Sequence, residues 1–247
     1  MSANRIMFAL IAVGFALVSI GCSSGGDSTY TTPPVIVDSD ATGVWKGAIT
    51  EDGVGTFELT GIVEGNQVRL ISISGDVLYA GTISITGTSF TAETTNYHIN
   101  SLVLFGTSNL VGTVETKSKL SGTFTSSTGG TGSFSLIYDS VTDKGSSLAI
   151  TDGNWTIPSE IGTSVISIDS TGLITGTDVN GCVWVGTVSI IDPLVNIYAL
   201  SLDASSCPVD GAYTGYAFIS DTVSTNDTVF TIVNSPYIAL TGEWTRT

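Results

Sequence analysis

The sequence predicts an all-β protein with two tandem antiparallel units of about eight short strands each. Apolar and polar residues alternate over short runs, as at Phe57, Leu59 and Val63, which is typical of half-buried strands. Turn-forming residues such as Asp52-Gly53 separate these runs and leave only short connections. The two halves of the chain also resemble each other in order and spacing.

The first unit is predicted over residues 41–140 and the second over residues 150–247, joined by a polar linker at 139–147 that few contacts need to cross. Because most connections are short, consecutive strands are expected to pair as an antiparallel meander. Strands are predicted at 43–49, 55–63, 67–73, 78–85, 89–98, 110–115, 120–125 and 132–138, and then at 154–157, 164–168, 173–178, 182–190, 196–203, 213–219, 228–233 and 238–245.

Two short motifs recur between the units. Gly43-Val44-Trp45 opens the first unit and Gly153-Asn154-Trp155 opens the second. The run Gly-Thr-Ile-Ser-Ile that begins at Gly81 returns as Gly-Thr-Val-Ser-Ile at Gly186. These matches favour one duplicated unit, although a composition rich in Thr, Ser and Gly also produces such matches by chance.

Either a closed barrel or a two-sheet sandwich accommodates eight short strands. Glycines inside the predicted strands favour barrels, because such glycines mark the bends that closure requires. Meander connectivity also favours barrels, and the sandwich remains the alternative. The glycines concerned are Gly81, Gly112, Gly122, Gly176, Gly186 and Gly215.

Gly-x-Trp at the first strand of an eight-stranded meander resembles the calycin group, which includes the lipocalins and avidins. The resemblance implies that Trp45 and Trp155 each close one barrel end beneath a basic side chain. The segment Gly242-Glu243-Trp244-Thr245-Arg246 at the end of the sequence offers such a side chain. The helix that follows a lipocalin barrel has no counterpart here.

Residues 1–21 have the parts of a secretory signal peptide, with Arg5 before an apolar run over residues 6–17 and small residues after it. The run is shorter than the ~20 residues of a spanning helix. Gly21-Cys22 resembles the end of the lipobox of bacterial lipoproteins, although Ser19 stands where Leu is usual. An ordinary signal peptide cut near a cysteine is the alternative.

The lipobox resemblance implies that Cys22 becomes lipidated and anchors the chain to a membrane, with residues 22–40 as a flexible tether. Ser23 after it implies sorting to the outer membrane in Gram-negative bacteria, on a periplasmic or a surface face. Three acyl chains would give near-permanent attachment, since each buried CH₂ contributes ~0.8 kcal/mol. The whole chain also resembles proteobacterial lipoproteins of unknown function, which implies a location and no activity.

Charge and cysteine content narrow the function classes further. The sequence has 7 basic and 22 acidic residues, a net charge of −15, which argues against nucleic acid as a partner. With Cys22 lipidated, Cys182 and Cys207 are left to form a disulfide in an oxidising compartment. Two free buried thiols are the alternative, and a metal site at these cysteines is less favoured because the single histidine is distant in sequence.

The sequence shows no pattern typical of a catalytic, cofactor-binding or metal-binding site. His98 is the only histidine, which argues against histidine-based zinc sites, and no phosphate-binding or dinucleotide-binding loop is present. We therefore expect a non-catalytic envelope protein without a cofactor. The first hypothesis is a carrier of a small apolar ligand inside a barrel, the second a module with filled barrels that docks another envelope protein, and the third a glycosidase.

Overall fold

A computed structural model describes residues 37–247, apart from residues 100, 102, 160, 161 and 207. Its first eight strands form one meander, and each lies over or close to a strand predicted from the alternation of apolar residues. They are β1 Gly43–Glu51, β2 Gly55–Glu64, β3 Gln67–Ser72, β4 Val77–Thr86, β5 Ser89–His98, β6 Leu104–Glu115, β7 Lys119–Ser126 and β8 Thr131–Asp139.

A second set of eight strands follows a short helical connection. These strands are β9 Gly153–Ser159, β10 Gly162–Ile168, β11 Leu173–Thr177, β12 Val183–Ile190, β13 Tyr198–Ser205, β14 Gly211–Ser220, β15 Thr228–Asn234 and β16 Ala239–Arg246. The largest departure from the prediction is β6, which begins six residues earlier than expected and includes a register shift opposite Asn96 and Tyr97.

Each set closes on itself as an antiparallel barrel. β1 pairs with β8 in the first barrel, and β9 pairs with β16 in the second. The prediction of two all-β tandem units is therefore confirmed, and barrels rather than sandwiches are the architecture. Two closed eight-stranded meanders are consistent with calycin-like barrels.

The glycines inside the strands stand where neighbouring backbones approach closely. At Gly81, a Cβ atom would overlap the backbone oxygen of Glu93 on β5, and at Gly186 it would overlap that of Ser201 on β13. A side chain there would push the strands apart. The same conflict with a neighbouring backbone oxygen exists at all the other glycines from which barrels were predicted, Gly112, Gly122, Gly176 and Gly215.

The connection between the barrels is packed, although its polar sequence predicted an open linker. A 3-10 helix, Ser140–Lys144, is followed by a one-turn helix, α1 Leu148–Thr151. Thr142 is only 2% exposed, and its hydroxyl accepts a hydrogen bond from the backbone N–H of Val44 at 2.8 Å. Asn196 donates to the carbonyl of Val141 at 3.0 Å, so the connection is fastened to both barrels.

Outward-facing residues of the two barrels meet in a shared apolar cluster, and both barrels lie in one compact unit. Ile62 and Leu78 of the first barrel are fully buried there, as is Ile232 of the second. Arg69 lies beside them at 7% exposure, with Nε donating to Asn234 Oδ1 at 3.1 Å and the guanidinium 4.7 Å from the Tyr216 ring centre. Its burial lowers the pKa of Arg69.

Within residues 37–247, less the five positions given above, no helix has the combination of length and apolar character that crossing a membrane requires.

Candidate functional site

The interior of the second barrel contains a cavity of about 200 Å³. Every strand from β9 to β16 contributes at least one lining residue, because each strand turns alternate side chains inward. An apolar protein cavity of ~150 Å³ is known to stay dry and to take up benzene, so this space is large enough for a molecule of that class.

The lining is mostly aliphatic, with two tryptophans. Branched aliphatic side chains form most of the wall, and the half-buried Trp184 and Trp244 add indole surface. Water gains few hydrogen bonds against such a wall, whereas an apolar ligand exchanges water contact for close packing. Representative lining residues are Ile166, Ile174, Val188, Leu200, Ile219 and Val233.

One end of the cavity is closed by the motif from which the calycin resemblance was drawn. Trp155 is fully buried, its indole N–H donates to the carbonyl of Thr151 at 2.9 Å, and the guanidinium of Arg246 lies 4.3 Å from its ring centre. Arg246 also donates to the carbonyls of Ile150 and of Asp152. The arginine thus holds α1 across this end of the barrel, as the resemblance implied for Trp155.

In the first barrel the corresponding place is taken by a tyrosine, so the expectation of a basic side chain over both tryptophans is wrong for Trp45. Trp45 is fully buried and donates to the carbonyl of Ala41 at 2.9 Å, as Trp155 does to Thr151. Its ring meets the edge of Tyr138, with 5.5 Å between ring centres. The hydroxyl of Tyr138 in turn donates to Asp143 at 2.9 Å.

The opposite end of the cavity carries its carboxyl group. Asp178 follows β11 and lines the cavity there, together with Ser164 of β10. The Oδ1 atom of Asp178 accepts hydrogen bonds from the backbone N–H groups of Asn180 at 2.8 Å and of Cys182 at 3.0 Å, which orients the carboxylate. Among the described lining residues, Asp178 is the one with a carboxyl group, and none has a basic side chain.

The first and last strands of the second barrel are joined over a short length. In the described residues, β16 pairs with β9 at Thr245 with Thr156 and at Arg246 with Trp155. The N–H of Thr247 also donates to the carbonyl of Asn154 at 3.0 Å. Thr241 and Trp244 of β16 line the cavity on this side of the barrel.

The hydroxyl of Tyr198, near the closed end, makes structural hydrogen bonds and does not face the cavity. Tyr198 lines the cavity, but its hydroxyl accepts a hydrogen bond from the backbone N–H of Ser147 at 3.0 Å and lies 3.3 Å from the carbonyl of the same residue. Burial raises the pKa of Tyr198. The hydroxyl is therefore a structural tie between β13 and the connection.

Two of the three residues singled out from the sequence lie outside the described part of the chain. These are Cys22, the predicted lipidation site, and Cys207, the predicted disulfide partner of Cys182. Cys182 itself is 2% exposed, next to the turn that Asp178 caps. Lipidation and the disulfide both stay predictions.

His98, the histidine noted in the sequence, and the paired acids of the first barrel lie apart from the cavity. His98 belongs to the first barrel, where its Nδ1 lies 3.2 Å from Asp76 Oδ2 and its ring stacks on Phe105. Asp139 pairs with Lys46 at 2.8 Å, and this contact helps to lower the pKa of Asp139 despite partial burial. The described residues contain no group of three or more His, Cys, Asp or Glu side chains arranged to hold a metal ion.

Sequence reasoning did not single out Trp184, Trp244 or Asp178. Period-two counting from Cys182 does place Trp184 on the inner face of β12, and counting back from Arg246 does the same for Trp244. The sequence does not show whether the space between these inward side chains is filled.

No protein-family model, curated protein or solved structure matches the chain.

Proposed function

We propose that the chain is a carrier that binds a small apolar or amphipathic molecule in the second barrel. The observation that supports this most directly is the 200 Å³ cavity with its largely aliphatic and indole lining. The barrel end at Trp155 and Arg246 closes such a site on one side. The short pairing between β9 and β16 is where a ligand would enter.

The proposal includes attachment of the carrier to the outer membrane through lipidated Cys22. Its support is the sequence alone, namely the signal-like residues 1–21 and the lipobox resemblance at Gly21-Cys22. The test is detergent phase partitioning of the expressed full chain and of Cys22→Ala. The wild type should enter the detergent phase and the variant should not. Recovery of the wild type in the aqueous phase would refute the anchor.

A second candidate function, docking of another envelope protein, is favoured for the first barrel by its filled interior. Phe90, Phe124 and Phe134 occupy the space inside that barrel and are 3–5% exposed. A filled barrel supports no ligand, so its contribution would come from its outer surface and its contact with the second barrel.

A non-catalytic function is also part of the proposal. Glycoside cleavage, the third hypothesis, uses a pair of carboxyl groups, and the described lining of the cavity offers Asp178 alone. A binding function therefore agrees best with the side chains that face the cavity.

The carrier hypothesis is tested by titrating the full chain with toluene and following tryptophan fluorescence, because Trp184 and Trp244 line the cavity. We expect a saturable change. Ala217, which is 2% exposed and lines the cavity, is replaced in Ala217→Leu so that the new side chain fills the space. This variant should bind toluene at least about tenfold more weakly, the loss expected when packing worth ~1.4 kcal/mol disappears.

The matched control is Ala212→Leu, the same change on the same strand at an exposed outward position. It should bind toluene as the wild type does. Saturable binding that survives Ala217→Leu unchanged would mean that toluene binds elsewhere, and no saturable binding at all would refute the carrier hypothesis.

A further inference from the structure

The end of the cavity opposite Trp155 presents a carboxylate to whatever the second barrel binds. We propose that the ligand is a small hydrophobic amine, whose positive ammonium group lies against Asp178 while its apolar part fills the cavity. This inference rests on the proposed carrier function and specifies the ligand class of the same site.

The carboxylate is held in place by backbone groups that occupy only one of its oxygens. Both hydrogen bonds to Asp178, from Asn180 and from Cys182, end on Oδ1. The described residues give Oδ2 no hydrogen bond, and the four ion pairs among them all involve other acids. An oriented carboxylate with an available oxygen and no basic neighbour favours a cationic donor from the ligand.

Asp178 is separated from the buried Ile174 by a glycine on the same strand. Gly176 lies against the backbone of Val165 on β10 and carries no side chain, so Asp178 is the next side chain after Ile174 to face the cavity. Register pairs Gly176 with Trp184 on β12. The indole therefore borders the position where an ammonium group would lie, and an indole face attracts cations.

Capping of a turn does not by itself explain why a carboxylate lines the cavity. Asp169 caps the preceding turn in the same way, with Oδ1 accepting from Thr171 at 2.8 Å and from Leu173 at 2.9 Å. Asp169 is exposed, and its carboxylate does not line the cavity. The two aspartates share the structural role, and Asp178 alone adds a charge to the binding space.

The charge of the whole chain acts in the same direction. With a net charge of −15, the protein attracts cationic ligands over a distance and disfavours anionic ones such as fatty acids. A cavity of 200 Å³ also limits the ligand to about the size of a single ring with a short side chain.

Three probes with nearly the same apolar part test the inference by calorimetric titration of the full chain. They are 2-phenylethylamine, 2-phenylethanol and phenylacetate, which are positive, neutral and negative at neutral pH. We expect the amine to bind about tenfold more tightly than the alcohol, since a hydrogen bond to a half-buried charge exceeds a neutral one by about that factor. Phenylacetate should bind most weakly.

The two aspartates supply the matched variants. Asn retains an oxygen for the turn hydrogen bonds, so Asp178→Asn removes the charge and preserves the cap. It should weaken binding of the amine about tenfold and leave the alcohol unchanged, whereas Asp169→Asn should change neither.

The outcomes separate this inference from the carrier hypothesis on which it rests. Equal affinities for amine and alcohol, tighter binding of phenylacetate, or amine binding that Asp178→Asn does not weaken would refute the amine assignment and leave the cavity as an apolar site. Failure of all three probes to bind would overturn both proposals.

Discussion

The two barrels share the same strand order and pairing but differ in the side chains that fill their interiors. Trp45 pairs with Tyr138 across the closing strands of the first barrel, and Trp155 pairs with Arg246 in the second. Four residues before these partners lie Phe134 in the first barrel and Gly242 in the second. Phe134 is buried against Phe90, with 6.2 Å between ring centres, whereas Gly242 contributes no side chain.

A second position differs in how its side chains are arranged. Phe124 lies opposite Gly132 in the first barrel, and the corresponding pair in the second barrel is Val233 and Leu240. The two pairs hold the same number of side-chain carbon atoms, so the loss of volume comes from positions such as Gly242, which stands in place of Phe134. The backbone therefore closes each barrel, while a few inward side chains decide how much of its interior is filled.

The closing seams differ as well. Eight residue pairs join β1 to β8, from Val44 with Asp139 to Glu51 with Gly132, while two join β16 to β9 in the described residues. The filled barrel is therefore also the more completely closed one.

The largest effect is expected from hollowing the first barrel. Phe134→Ala removes a ring that is 4% exposed and should lower the free energy of unfolding by about 3–5 kcal/mol, measured by urea titration. If side-chain volume alone distinguishes the barrels, this variant should also gain a second toluene site. Val111→Ala, at a half-exposed position on β6, should change stability by less than about 0.5 kcal/mol. A small effect at Phe134 would contradict the filled interior.

The next effect concerns the cysteines, which only the second unit contains. If Cys182 and Cys207 are bonded, the closed loop of ~25 residues stabilises that barrel by about 3.5 kcal/mol on the chain-entropy model. Reductant, or Cys207→Ser, should then lower hydrogen-exchange protection across β9–β16 and leave that of β1–β8 nearly unchanged. Labelling of two thiols in unreduced, denatured mature protein would show that the bond is absent.

The strands and the closure of the barrels were largely predictable from the sequence, because short stretches of residues indicate both. Alternation gave all sixteen strands, and glycines such as Gly81 and Gly186 indicated closure, since a strand-interior glycine is otherwise unfavourable. The recurring Gly-x-Trp motif located one end of each barrel. The hollow interior was not predictable, because Phe134 and Gly242 both fit an inward position and only their neighbours across the barrel reveal the space.

The contact between the barrels was missed for a different reason. Arg69 was not singled out, since a lone arginine in a strand usually faces water, yet it is 7% exposed against Tyr216. In the structure, successive residues of β3, Gln67–Ser72, are buried instead of alternate ones. Such burial is typical of a strand covered on both faces, here by the barrel interior and by the second barrel.

A moderate effect is expected at the closed ends, where the barrels use different partners for tryptophan. Arg246→Lys keeps the charge but loses the planar group that lies over Trp155 and donates to two carbonyls, and it should cost about 1–3 kcal/mol. Tyr138→Phe removes only the partly exposed hydroxyl bonded to Asp143 and should cost about 1 kcal/mol or less. Urea titration of both variants gives the two losses. Equal losses would mean that Arg246 holds α1 no better than Tyr138 holds its end.

The smallest effect at neutral pH is expected at Tyr79, which faces the interior of the first barrel at the place that Trp184 takes in the second. Burial raises the pKa of Tyr79 to about 12, with a further contribution from the charge of Glu51. The folded state therefore favours the neutral phenol. In the unfolded chain a tyrosine titrates near pH ~10.

The sign of the pH dependence follows from this difference. Because the folded pKa lies above the unfolded one, the stabilising contribution is complete below pH ~10 and is lost as the pH rises through about 12. Tyr79→Phe retains the ring and has no proton to lose, so its stability should fall less steeply than that of the wild type across this interval and should match it closely near pH 7. Stability measured by urea titration at several alkaline pH values, together with tyrosinate absorbance, gives both profiles.

Tyr237→Phe, at a position 77% exposed, is the control and should retain the wild-type slope. Identical slopes for Tyr79→Phe and wild type would mean that Tyr79 is hydrated in solution, and the first barrel would then be as open near β4 as the second barrel is near Trp184.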